Sequence, residues 1–285
     1  MLEFAFPAGE LPKAAPAGVV RPSWHARRTA YAIEAASLGI FMFVAGSVAV
    51  TLAPGHVSPA FASHPLLRRF TFGVAMGLTV IAIVYSPWGR RSGAHLNPAL
   101  TLTYAFLGKI APGDAAFYVL AQFAGGALGL ALAAVLGGMT FAQPSVHYIV
   151  TKPGPAGAVG AFAGELAIAF ALMSVVLVVS NSARFAKLNG ICAGLLVTLF
   201  ITFEAPLSGM SMNPARTFAS ALAAHDWTAI WVYFTAPPLG MGLAALVYVK
   251  SRGVRAVRCA KLYHTNDVPC IFRCGYREVE EKTHA

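Results

Sequence analysis

One ten-residue stretch occurs twice in this 285-residue chain: Ser92-Gly93-Ala94-His95-Leu96-Asn97-Pro98-Ala99-Leu100-Thr101 and Ser208-Gly209-Met210-Ser211-Met212-Asn213-Pro214-Ala215-Arg216-Thr217. Asn is a preferred helix N-cap and Pro is favoured at the first helical position, so Asn97-Pro98 and Asn213-Pro214 each read as a helix start. Each start follows a long apolar segment and opens a run too short to cross a bilayer. Asn97 to Phe106 is ten residues, about 15 Å at 1.5 Å per residue and half a hydrocarbon core. Backbone that stops at mid-membrane is tolerated only against protein or water, so the two copies must meet inside the molecule. A single Asn-Pro-Ala would be an ordinary turn; two, each behind Ser-Gly, are not.

The remainder of the chain suits lipid. It is 57% hydrophobic and 11% charged, whereas soluble domains carry about 25% charged residues. Six spans are expected, at about Thr29–Leu52, Phe70–Tyr85, Ala115–Leu136, Val159–Val179, Asn189–Phe203 and Thr228–Tyr248. The expected fold class is an all-α membrane protein with six transmembrane helices plus two re-entrant half-helices. Three spans per half force the second repeat, 159–250, to be inverted relative to the first, 28–136. Gly73/Gly77, Gly125/Gly129, Gly160/Gly164 and Gly190/Gly194 are small-xxx-small pairs suited to close helix packing. An N-terminal arm, 1–27, and a basic tail, 252–285, flank the membrane domain, 28–251.

The net charge of +10 is concentrated in the arm, the 86–96 and 180–188 connections and the tail. No nucleic-acid-binding motif accompanies it, and no nucleic-acid partner is expected. The positive-inside rule places those segments, and both termini, in the cytoplasm of a multi-pass protein of the plasma or bacterial inner membrane. Arg68 and Arg69 fall at the opposite end and are expected to snorkel to the headgroups. The first thirty residues hold Lys13, Arg21, Arg27 and Arg28 and no apolar core, so no cleavable signal peptide is expected.

In an inverted pair the two helix starts face each other and their positive dipole ends converge. Cations and protons are disfavoured there, and a neutral hydrogen-bonding solute is not. Asn97, Pro98, Ala99, Asn213, Pro214 and Ala215 would form that midpoint, with the Asn oxygens capping the helices and the amides donating into the lumen. Glu34 and Glu165 occupy corresponding places in the two halves and are costly unless hydrogen-bonded; they read either as a proton relay or as braces. Arg216 reads as a fixed pore cation or as a snorkelling side chain. No acid pair, Ser/His set or phosphate loop points to an enzyme. In the tail, Cys259-x4-His264-x5-Cys270-x3-Cys274 reads as a Cys₃His zinc site or as incidental thiols, with no Cys-x-x-Cys present.

The two boxes, six spans and inverted halves resemble the aquaporin, or major intrinsic protein, family over about Thr29–Ser251. The resemblance implies a passive channel, usually tetrameric with one pore per subunit, for water, glycerol or other small neutral solutes, and no cofactor. It implies a selectivity filter of Arg216 with Met76, Ile201 and Met210, and loop bracing by Glu34, Glu165, His95 and Gln122. Met76 and Ile201 depart from the aromatic-plus-His pattern of water channels and make the filter more apolar. Thr217 and Ala221, where glycerol channels resemble an Asp and a basic residue, and Tyr233-Phe234 before Pro237, point toward water. The expectation is a channel for water and small uncharged solutes that excludes ions and protons. A glycerol facilitator is the alternative, and a structural membrane-contact protein with a closed pore is the reading from another class. The absence of further intramembrane charges disfavours an ion-coupled transporter.

Overall fold

The computed structural model describes residues 22–265, 267–268 and 270–276. Most of the N-terminal arm, 1–21, and the end of the tail, 277–285, lie outside them. The described residues are helical, in the order α1 Trp24–Thr51, α2 Pro59–Ala62, α3 Pro65–Tyr85, α4 Pro87–Ser92, α5 Pro98–Phe106, α6 Pro112–Ala142, α7 Gly157–Ser180, α8 Asn189–Phe203, α9 Ala205–Ser208, α10 Pro214–Ala224 and α11 Ile230–Arg252. Pro opens α2, α3, α4, α5, α6 and α10, where its missing N–H costs nothing and its fixed φ suits a first turn.

Six helices are long and apolar enough to cross a membrane: α1, α3, α6, α7, α8 with its preceding turn, and α11. Several exceed the apolar stretches expected for them, because helix continues through their polar ends; α6 runs on to Ala142 and α3 begins at Pro65. Their outer faces carry apolar residues at i, i+4, i+8 spacing: Leu128, Leu132 and Leu136 on α6, Leu195, Leu199 and Phe203 on α8, and Leu239, Leu243 and Val247 on α11 are all exposed. The interior meanwhile buries Glu34, Glu165 and Gln122. Apolar residues outside and polar groups gathered inside is the arrangement a hydrocarbon solvent requires.

The halves pack as the inverted repeat demands. In the first half α1 lies against α6, in the second α7 lies against α11, and α3 pairs with α8 across the two. Glycine permits these approaches: a Cβ on Gly125 would lie 2.0 Å from the Ala35 carbonyl oxygen, and one on Gly77 would lie 2.5 Å from that of Gly194. The half-helices sit at the centre, α5 against α6 and α11, and α10 against the same two helices. Their N-termini meet, and each C-terminus leads back to the surface it came from.

Arg68 and Arg69 differ from expectation. Arg69 Nε donates to the Thr202 carbonyl oxygen at 3.0 Å, and both arginines line the internal cavity. The pairing of α3 with α8 turns this end of α3 inward, so the Arg69 guanidinium reaches a backbone acceptor rather than headgroups.

Candidate functional site

The two loops before the half-helices have matching backbones. Gly93 and Gly209 are left-handed (φ +98° and +80°), as are Ala94 and Leu96 in the first loop and Met210 and Met212 in the second. Left-handed geometry costs a non-glycine residue about 1–2 kcal/mol. Buried carboxylates offset that cost. Glu34 Oε1 accepts from Ser92 Oγ at 2.8 Å and His95 N at 3.0 Å, and its Oε2 from Leu96 N at 2.8 Å and Gln122 Nε2 at 2.9 Å. Glu165 Oε1 accepts from Ser208 Oγ at 2.8 Å and Ser211 N at 2.6 Å, and its Oε2 from Met212 N at 2.6 Å. At about 1.5–3 kcal/mol for a hydrogen bond to a charged group, these sets outweigh two strained residues per loop. Tyr118 and Tyr233, from α6 and α11, complete the match. Each hydroxyl donates at 2.6 Å to a loop carbonyl, that of Ser92 and that of Ser208 respectively.

The loops then join. Asn97 Oδ1 caps α5 by accepting from Ala99 N at 2.8 Å, and Asn213 Oδ1 caps α10 by accepting from Ala215 N at 3.1 Å and Arg216 N at 3.2 Å. The amides do not point wholly into the lumen, as the sequence suggests. Asn97 Nδ2 donates to the Met212 carbonyl and Asn213 Nδ2 to the Leu96 carbonyl, both at 2.7 Å. An amide nitrogen has two hydrogens, so each Asn keeps one for the cavity that both line. Ala99 and Ala215 are fully buried beside them.

That cavity, of about 420 Å³, has a lining that includes Arg68 and Arg69 of α3, both Asn residues and Leu262 of the tail. At the end away from the tail it is bordered by Arg68, Arg69 and Ile149, and it then passes Arg216, Met76, Ile201 and Met210 together. Beyond the two Asn residues Val80, Val176 and His95 line it. The half-buried Arg216 is held by donating from Nη1 to Thr151 Oγ1, and Thr217 Oγ1 lies 3.4 Å from the same oxygen. Thr151 stands in the α6–α7 connection, which Lys152 fastens by an ion pair to Asp226 at the end of α10. Lys152 holds the Asp226 carboxyl at about 2, below its usual range.

Toward the tail the polar contacts form a chain. Gln122 Nε2 donates to Thr101 Oγ1 at 3.1 Å, Thr101 Oγ1 lies 3.0 Å from His95 Nδ1, and His95 Nε2 lies 2.9 Å from the Ala260 carbonyl. The carbonyl only accepts, so Nε2 carries the proton and Nδ1 accepts from Thr101. The tail is thus folded onto the body: Val257, Cys259, Ala260, Leu262, Cys270, Ile271 and Phe272 are buried. Phe272 stacks on His95 with ring centres 5.3 Å apart. The tail also brings Cys259, His264, Cys270 and Cys274 together, their ligand atoms all within 4.8 Å of one another. Hydrogen bonds from Cys259 and Cys270 hold the Cys274 thiol far below its ordinary range, while burial pushes Cys259 up.

Every expected site residue is therefore placed. Asn97, Asn213, Met76, Ile201, Met210 and Arg216 share one cavity; Glu34, His95 and Gln122 meet around the first loop, Glu165 stands against the second, and the four tail ligands form a separate group. Sequence reasoning missed Thr151, Tyr118, the bond of Tyr233 to the second loop, and the docked tail. The equivalent places of Tyr118 and Tyr233 in the two repeats were the available signal; Thr151 offered none.

The sequence model of the family described as major intrinsic protein matches residues 23–248. Similar proteins include aquaporin NIP1-3 of Oryza sativa subsp. japonica, 40% identical over 61% of this chain and 59% of the relative. The probable aquaporin NIP7-1 of Arabidopsis thaliana is 34% identical over 73% of this chain and 71% of the relative. Against several of these relatives the chain spans about three fifths of their length. In three dimensions the chain is similar to the X-ray structure of the aquaglyceroporin from Plasmodium falciparum, with a TM-score of 0.65 and 21% identity over 79% of this chain and 96% of that one. With the family match running through both half-helices and all six spans, the chain belongs to the major intrinsic protein family.

Proposed function

We propose that the chain is a passive channel for water and small uncharged solutes that excludes ions and protons. The observation that carries this reading is the continuous cavity past Arg216, Met76, Ile201 and Met210 to the paired Asn97 and Asn213 amides. Two helix N-termini and a fixed guanidinium oppose a cation along that route. The remaining amide hydrogens of Asn97 and Asn213 give a passing neutral oxygen donors in place of its water partners. Arg216, Met76, Ile201 and Met210 act as the selectivity filter, and Glu34, Glu165, His95 and Gln122 as the braces of its loops. The apolar side chains at three of those filter positions favour solutes with C–H surface, so glycerol is the second permeant to consider. The test is stopped-flow swelling of proteoliposomes under water and then glycerol gradients. Water permeability well above empty vesicles is expected of the open pore; folded protein with none, zinc-loaded and zinc-free alike, would sink the channel reading.

The working form is a homotetramer in the lipid bilayer, each subunit with its own pore, in the plasma or bacterial inner membrane with both termini cytoplasmic. The distribution of Lys and Arg supports that orientation. The resemblance to tetrameric channels supports the assembly, and the native mass in mild detergent tests it.

We infer further that the tail cluster holds one Zn²⁺ through Cys259, His264, Cys270 and Cys274. Tetrahedral thiolates at about 2.3 Å from zinc stand about 3.8 Å apart. Cys259 Sγ and Cys270 Sγ are 3.5 Å apart, Cys274 Sγ and His264 Nε2 are 3.1 Å apart, and no pair exceeds 4.8 Å. The bound metal would cross-link the tail and supplies no step in permeation. One zinc per chain by elemental analysis of purified protein is the expected result.

A further inference from the structure

The four ligands bracket Leu262, which lines the pore, and Phe272, which stacks on the pore-lining His95. Leu262 lies between Cys259 and His264, and Phe272 between Cys270 and Cys274. Leu262 is the tail's contribution to the cavity lining, which it shares with Ala94 and His95, and it is buried. Its backbone is fixed from both sides of the opening. Leu262 N donates to the Gly93 carbonyl at 3.0 Å, and the Leu262 carbonyl accepts from Asn189 Nδ2, at the start of α8, at 2.8 Å. The strand of tail therefore crosses from the first loop to α8. Tyr263 continues the crossing, its ring edge-on to Tyr85 at 4.9 Å.

The rest of the tail holds that crossing in place. Arg258 N donates to Asn181 Oδ1 at 2.7 Å, Arg273 N to the Lys109 carbonyl at 3.0 Å, and Tyr276 OH to the Ser180 carbonyl at 3.0 Å. These partners sit on two connections around one mouth, Lys109 on that after α5 and Ser180, Asn181 and Asn189 at that between α7 and α8. The buried apolar residues Ala260, Leu262, Ile271 and Phe272 all lie within the loop that Cys259 and Cys274 would close, so a cross-link between those ends acts on the whole docked surface.

We propose that the tail is a metal-locked stopper: Zn²⁺ on Cys259, His264, Cys270 and Cys274 fixes Leu262 across the cytoplasmic mouth, and loss of the metal releases it and opens the pore. This rests on the channel and zinc readings above, and the experiment separates all three. Full-length protein is reconstituted with zinc, and water permeability is measured before and after a membrane-permeant zinc chelator and after zinc is restored. The same measurements are made on Leu262→Ala and Cys274→Ser, with bound zinc counted on each sample. Wild type is expected to gain about tenfold in permeability on chelation and to lose it when zinc returns. Leu262→Ala should keep its zinc and be permeable throughout, and Cys274→Ser should lose zinc and stay open. Equal permeability of zinc-loaded and zinc-free wild type would overturn the stopper while leaving the channel standing. Protein that carries no zinc would overturn the lock. Permeability no higher than empty vesicles in every form, Leu262→Ala included, would remove the channel reading on which it rests.

Discussion

Asn97 and Asn213 exchange hydrogen bonds across the centre of the molecule, each amide donating at 2.7 Å to the carbonyl of the residue that precedes the other. Each side chain thus caps its own half-helix and fastens the opposite loop. Asn97→Ala or Asn213→Ala removes a cap and a buried hydrogen bond, a loss of about 2 kcal/mol in either case. Both variants should show a lower apparent unfolding temperature in detergent by similar amounts. Because the two loops share these bonds, the double variant should lose less than the sum. Strict additivity would mean the loops are held independently.

The carboxylates should be far less tolerant. Glu165→Gln places an N–H₂ group where Ser211 N or Met212 N now donates, leaving a buried donor facing a donor. A loss of about 3 kcal/mol or more is expected, read as reduced folded yield on size-exclusion chromatography. Glu34→Gln should behave in the same way, since Leu96 N and His95 N make the matching demands.

Thr151 sets the direction of Arg216. Thr151→Val keeps the shape and removes the acceptor, freeing the guanidinium. Glycerol permeability relative to water should change by several-fold, with folding preserved. Arg216→Ala should relax exclusion further and admit larger solutes; unchanged discrimination in proteoliposome swelling would remove Arg216 from the filter.

Ile201 and Met76 give the proposed filter no hydrogen-bonding side chain beside Arg216. Ile201→His adds bulk and a polar edge beside the guanidinium, and should lower glycerol permeability about tenfold relative to water. Parallel falls in both permeabilities would indicate simple blockage instead.

The ion pair of Lys152 with Asp226 pins the connection that carries Thr151. Asp226 is held at about 2, below the ordinary carboxyl range near 4, so its contribution is present above about pH 4 and fades as pH falls toward about 2. The pair is partly exposed and its worth is small. Hydrogen exchange of residues 150–156 should be flat in pH-corrected protection from about pH 8 to about pH 5 and rise in Asp226→Asn at every pH.

Local rules were enough for the parts of this fold that local chemistry controls. Asn-Pro starts, half-length apolar runs and the matched Glu34 and Glu165 place the half-helices and their supports, because caps, proline geometry and buried charge all act within a turn or along one helix. What escaped depends on distant backbone. Arg69 at a span end looks like a headgroup anchor until the α3–α8 contact offers it the Thr202 carbonyl. Thr151 lies in a connection with no periodicity, and only the folded chain brings it to Arg216. The tail docks through carbonyls, one histidine face and a leucine, a set with no pattern to read. Its cysteine spacing was visible, but the convergence of the four ligands needed the body of the protein as a template.

The crossed amides at Asn97 and Asn213 also bear on how such a chain is made. The ribosome delivers the first half-helix long before Met212 exists to receive the Asn97 amide, so the newborn first loop enters the translocon with a polar demand that nothing yet meets. Neither half can finish its own centre. The last moment of assembly is therefore a closure between two waiting halves, and a chain stalled before Asn213 should be held by insertion or quality-control machinery rather than released into lipid.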